Sequence, residues 1–117
     1  MPLDNPSAVV TYIELAGGQN HLVTIQDAWE DWDLSAIVPP ATKYVLVDIC
    51  MDDGEEPGGA RKKGSTLDRK AQFGPIATTT TGRVHGYLIT EVDDAQKIQI
   101  YGGHTSHPWF NILGYWL

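Results

Sequence analysis

The stretch WEDWDLSAIVPPATKYVLVDI, Trp29 to Ile49, decides how the rest of the chain is read. It opens with Trp29 and Trp32 among Glu30, Asp31 and Asp33, turns a Pro39-Pro40 corner, and enters the longest largely apolar run of the protein, residues 44–51. The prolines end anything helical and push Val38 into an extended conformation. Residues 43–51 carry apolar side chains on both faces, which predicts a central strand that is covered on both sides or lies in the middle of a sandwich. Residues 26–34 are too short a run for a helix. They read as an irregular segment or a β-bridge that leads one or both indoles to the core, with Asp33 capping a single turn that reaches Ile37.

Working upstream, residues 8–15 are rich in β-branched and aromatic side chains, which favour a pleated surface. Residues 16–20 form a turn cluster and residues 21–25 a second short strand, so this pair predicts a hairpin with a loop of about five residues. Residues 1–7 hold two prolines and read as an extended N-terminal arm.

Working downstream, residues 52–59 (DDGEEPGG) have nothing to bury and read as a surface loop. Residues 60–70 predict a short edge strand, and residues 71–81 a loop or weak strand. Residues 83–92 predict a long strand, with Val84, Gly86, Leu88, Thr90 and Val92 on one face and Arg83, His85, Tyr87, Ile89 and Glu91 on the other. After a turn at 93–95, residues 96–101 alternate, with Ile98 and Ile100 inward and Lys97, Gln99 and Tyr101 outward. These two strands predict a hairpin. The last strand covers 109–116, with Ile112 and Trp116 inward and Tyr115 outward.

No amphipathic helix longer than two turns is predicted, so the chain reads as all-β. About seven to nine antiparallel strands fit a jelly-roll-like β-sandwich better than a single sheet. The expected organisation is the arm, 1–7, and one sandwich domain, 8–117.

At 117 residues a chain of this kind buries roughly two-thirds of its unfolded surface and folds without disulfides or metals. The single cysteine, Cys50, sits in the apolar run and reads as a small buried hydrophobe, since no basic neighbour in sequence would depress its pKa. The formal charge of −7 argues against phosphate-backbone binding, because the basic cluster Arg61-Lys62-Lys63, with Arg69 and Lys70, does not outweigh the acidic residues. No stretch approaches the length of a membrane span, and the first residues lack the order of a signal peptide, so a protein made in the cytosol is expected, with neither nucleic acid nor membrane as partner.

The chemistry-bearing residues form no catalytic signature. His104 and His107 stand three apart in a loop, a spacing that does not aim two imidazoles at one zinc ion. Asp52, Asp53, Glu55 and Glu56 are crowded together and not flanked by helices, unlike an EF-hand loop. Gly-x-Ser-x-Gly is absent, and the glycines around Arg61-Lys62-Lys63 do not match a phosphate-binding loop. The expectation is a non-enzyme without cofactor or metal. The aromatics Trp29, Trp32, Tyr87, Tyr101, Trp109, Tyr115 and Trp116 read mostly as core. Those near polar loops, Trp109 and Tyr101 with His107, are the candidates for a sugar-stacking platform.

Three pieces together, Asp33-Leu-Ser-Ala-Ile-Val-Pro39 running into Tyr44-Val-Leu-Val47, Gly59-Ala-Arg-Lys-Lys-Gly-Ser65, and Lys97-Ile-Gln-Ile-Tyr101 followed by Ile112-Leu-Gly-Tyr-Trp116, resemble small β-sandwich proteins of tailed-bacteriophage virions. Head decoration (cement) proteins and tail-fibre domains are the two kinds in question. The resemblance covers about residues 29–117, and its motifs are strands, corners and turns, so no functional residue is carried over. It implies a non-enzymatic virion component, made in the host cytoplasm and placed on the capsid surface. The chain's size favours decoration over a fibre. Such proteins commonly sit as trimers on capsid threefold positions, so the implied partners are the major capsid protein and further copies of the chain. The arm residues Pro2, Leu3, Asp4, Asn5 and Pro6, and the cations Arg61, Lys62 and Lys63, are then the expected capsid contacts. The competing expectation is a carbohydrate- or receptor-binding module of a phage tail, using Trp109, Tyr101 and His107.

Overall fold

A computed structural model describes residues 11–16, 20–51, 57–67, 70–71, 84–104 and 108–117. The arm expected over 1–7, the acidic residues 52–56 and His107 lie outside the described residues. Within them the regular structure is all β: β1 (Tyr12–Glu14), β2 (Trp29–Asp33), β3 (Tyr44–Met51), β4 (Gly58–Lys62), β5 (Lys70–Ala71), β6 (Val84–Glu91), β7 (Lys97–Gly102) and β8 (Trp109–Trp116).

The strands form two antiparallel sheets, ordered β1-β8-β3-β6 and β2-β7-β4-β5. The pairs β1–β8, β2–β7, β3–β6 and β4–β5 are those of one long antiparallel hairpin. Rolling that hairpin up sends alternate pairs to opposite sheets, and the β3–β8 and β4–β7 pairings close the roll. This is an eight-stranded jelly roll. Side chains from both sheets meet in one core: Val45, Val47, Ile49, Phe110 and Ile112 from the first, Trp32, Ala60, Ile98 and Ile100 from the second.

The central strand is where the apolar run placed it, between β6 and β8, but its two faces differ. Val45, Val47 and Ile49 are in the core, whereas Leu46, Asp48 and Cys50 lie on the outer face of the sheet, where Leu46 is partly exposed and Asp48 and Cys50 are buried. The turn expected at Asp33 forms. Asp33 accepts a hydrogen bond from the Ser35 N–H (2.9 Å), and the amides of Ile37 and Val38 close a turn on the Leu34 carbonyl. Leu34 and Val38 are thereby dropped into the core.

Three expectations are corrected. Residues 21–25 do not pair with β1. β1 lies on β8, and His21 makes only a bridge to Phe110. Residues 29–33 are a full strand on β7, with Trp32 buried. The segment 60–70 does lie at a sheet edge, as expected: it begins with the end of β4, residues 60–62, which β5 does not reach, and it ends at Lys70, where the two-residue edge strand β5 starts. The predicted hairpin of β6 with β7 does not exist, because β6 pairs with β3 and β7 with β2 and β4. The turn between them is a corner from one sheet to the other. Asp93 Oδ1 accepts from the amides of Ala95 (3.0 Å) and Lys97 (2.7 Å), and Gln96 takes a left-handed φ of 60°.

A bulge adds a further correction. In the β3–β8 ladder Leu46 faces Gly114 and Val47 faces Ile112, so Leu113 is the extra residue. The extra residue reverses the phase beyond it. Tyr115 packs against the core, and Trp116 turns to the outer face, where its ring lies 4.9 Å from that of Tyr12.

Candidate functional site

The two outer faces of the sandwich are chemically opposite. On the β2-β7-β4-β5 sheet the face is polar and internally paired. Asp31 binds Lys63 (2.8 Å) and accepts from Gln99 (3.0 Å), and Gln99 in turn accepts from Arg61 (2.9 Å). The Arg61 guanidinium lies 4.0 Å from the centre of the Trp29 ring. The hydrogen bond from Lys63, helped by that from Gln99, holds the Asp31 carboxyl below its usual range, and the Asp31 hydrogen bond raises the Lys63 ammonium.

The outer face of the β1-β8-β3-β6 sheet carries Tyr12, Tyr44, Leu46, Tyr87, Ile89 and Trp116. Tyr87 is 60 % exposed and Ile89 66 %. An apolar face of this kind is the usual mark of a surface that meets another molecule. Beside it a cleft of about 610 Å³ runs between β4 and β6, and Tyr44 and Ile89 face Arg61, Lys62 and Lys63 across it. Lys62 is held at its rim by Glu91 (3.1 Å). The three cations expected to touch a partner thus border the apolar face, each already engaged within the chain.

At the other end of the same face the strand register assembles a group that sequence spacing kept apart. Cys50 on β3 stands directly opposite His85 on β6, and Asp48 lies two residues back on the same side. His85 Nδ1 is 2.8 Å from Asp48 Oδ1, and His85 Nε2 is 3.6 Å from Cys50 Sγ. A recess of about 270 Å³ opens over Cys50 and His85, walled by Trp109, Asn20 and Asn111. Cys50 is buried, as the apolar run implied, but not as a plain hydrophobe: thirty-five residues separate it from His85 in sequence, and a cross-strand pair removes that distance. The alternation that put His85 outward was the one signal available, and it did not say which strand would lie beside it.

The sugar-platform residues are not brought together as expected. Tyr101 does not face solvent. It is 8 % exposed, with Trp29 tilted against it at 5.5 Å and its hydroxyl 3.3 Å from Asp27 Oδ1. Trp109 is half-buried at the recess, on the opposite sheet. Among the described residues no three His, Cys, Asp or Glu side chains converge to hold a metal ion. His21 lies against the ring of Trp32 (4.7 Å), and burial pushes its imidazole below the ordinary range, against the opposing pull of Glu30. No protein-family model, curated protein or solved structure matches the chain.

Proposed function

We propose that the chain is a non-enzymatic structural protein of a virion: a capsid decoration protein that self-associates as a trimer, seats itself on the major capsid protein and reinforces the head shell. The observation that carries this reading is the asymmetry of the sandwich. One outer face is tied up in a polar network of Asp31, Lys63, Gln99 and Arg61. The other is apolar and borders a cleft rimmed by Arg61, Lys62 and Lys63. An apolar centre with a charged rim is the anatomy of a protein–protein interface. Many modest contacts of that kind, repeated over a symmetric shell, hold by avidity without one strong site. Jelly rolls serve both as capsid proteins and as lectins, so the fold is compatible with this role without selecting it. The net charge of −7 disfavours nucleic acid as the partner.

The test combines light scattering at several concentrations with binding to undecorated shells. The wild-type chain forms trimers and decorates the shell. Ile89→Glu, which places a charge on the exposed face at the edge strand β6, beside the cleft, stays folded, runs as a monomer and leaves the shell bare. Equal shell occupancy by the two proteins would overturn the reading. The alternative, a receptor-binding module of a phage tail, is favoured by Trp109 beside Asn20 and Asn111 in the recess. It requires Trp109→Ala to lose glycan binding while the fold and the oligomer persist.

A further inference from the structure

Independently of the structural role, we propose that Cys50 is a nucleophilic thiol, activated by His85 and oriented through Asp48, that accepts an acyl group from a small activated ester or thioester. Three placements carry the inference. The carboxylate of Asp48 at 2.8 Å from Nδ1 keeps a proton on that nitrogen and leaves the lone pair of Nε2 facing the sulfur. The 3.6 Å between Nε2 and Sγ is hydrogen-bond range for sulfur, so the thiol proton has an acceptor and the resulting imidazolium has a counter-ion behind it. The thiol is only 4 % exposed, but it lines the recess of about 270 Å³, which has room for a short acyl group. Asn20 and Asn111 line the same recess and bring amide donors for a carbonyl oxygen, while Trp109 supplies an apolar wall. A cysteine that only fills space meets apolar atoms. Cys50 meets a ring nitrogen held by a carboxylate.

The step is an acyl transfer onto sulfur. The thiol proton moves to His85 Nε2, and the thiolate attacks the carbonyl carbon to form the C–S bond. The bond to the leaving oxygen or sulfur then breaks, and the leaving group departs with its electron pair. The proton on His85 passes to the leaving group or to solvent. The titratable groups that face the thiol from β6 and β3 include His85 and Asp48, with the Tyr87 ring lying nearly parallel to the imidazole at 6.2 Å. Among the described residues lining the recess, β8 and the segment before His21 contribute uncharged Trp109, Asn111 and Asn20.

The probe is p-nitrophenyl acetate at about pH 6, with intact-mass and peptide readouts of acetylation. The folded wild-type chain gains one acetyl group on Cys50, and Cys50→Ser gains none there. His85→Gln, a change at a half-exposed surface position whose fold is checked by circular dichroism, reacts about 10-fold more slowly, because an unassisted thiol is almost wholly protonated at that pH and its greater intrinsic nucleophilicity recovers only part of the loss. Asp48→Asn falls between the two. Equal rates for wild type and His85→Gln, or acetylation of the wild type only in denaturant, would overturn the proposal.

Discussion

Gly114 lies beneath the ring of Tyr12, and a β-carbon added there would run into the Tyr12 ring and hydroxyl. The aromatic ring covers a glycine that leaves the backbone bare, and it also meets Trp116. Gly114→Ala therefore displaces Tyr12 and costs about 1–2 kcal/mol, the order of a lost aromatic contact with some overpacking. In a Tyr12→Ala background the same change costs much less, and a double-mutant cycle by urea denaturation measures the difference. His21 makes a second residue-scale prediction. Its folded pKa is lowered, so the unfolded chain binds more protons below the ordinary His pKa. The stability contribution is complete above about pH 6.5 and is lost as pH falls through the folded value. Comparing urea midpoints at about pH 5 and 7.5, His21→Gln flattens this slope. An unchanged slope would place the pH dependence elsewhere.

At the scale of elements, the β6–β7 connection shows why a legible strand pair need not be a hairpin. Both strands and the turn were readable from alternation and from Asp93-Asp94. A tight hairpin and a tight sheet-to-sheet corner use the same turn residues, so the choice depends on which neighbours are free to pair. Here β3 takes β6, while β2 and β4 take β7. The corner rests on Asp93, whose Oδ1 receives two backbone amides, and on Gln96, whose side chain donates to the Val38 carbonyl at 2.6 Å. Asp93→Ala removes both side-chain acceptances and is expected to cost about 1–2 kcal/mol. Hydrogen exchange should show the loss as faster opening at both the β6 end and the β7 start, because the corner ties the two sheets together. The segment 21–25 teaches a related lesson. Val23 is apolar enough for a strand, but it is spent in the core against Gly102, where an added β-carbon would lie 2.7 Å from its Cγ2.

For the whole molecule, burying one apolar sheet face in an assembly links stability to concentration. The melting temperature of the wild type should rise with protein concentration, and that of Ile89→Glu should not, if the exposed face is the one that associates. The candidate thiol site lies on the same sheet near its other end, so the two surfaces are separable by mutation. Composition and local pattern by themselves determined the all-β class, the central strand, the Asp33 turn and the inward placement of Ile98 and Ile100, because alternation and turn chemistry act over a few residues. The tertiary structure alone decided the rest. The bulge at Leu113 exchanged the roles of Tyr115 and Trp116. The rolling of the sheets separated β6 from β7 and carried β8 between β1 and β3. The register of β3 against β6 then set Cys50 opposite His85 with Asp48 behind. Strand partners and register are chosen by the closing of the whole core, in which every strand competes for the same edges, and no window of sequence contains that competition.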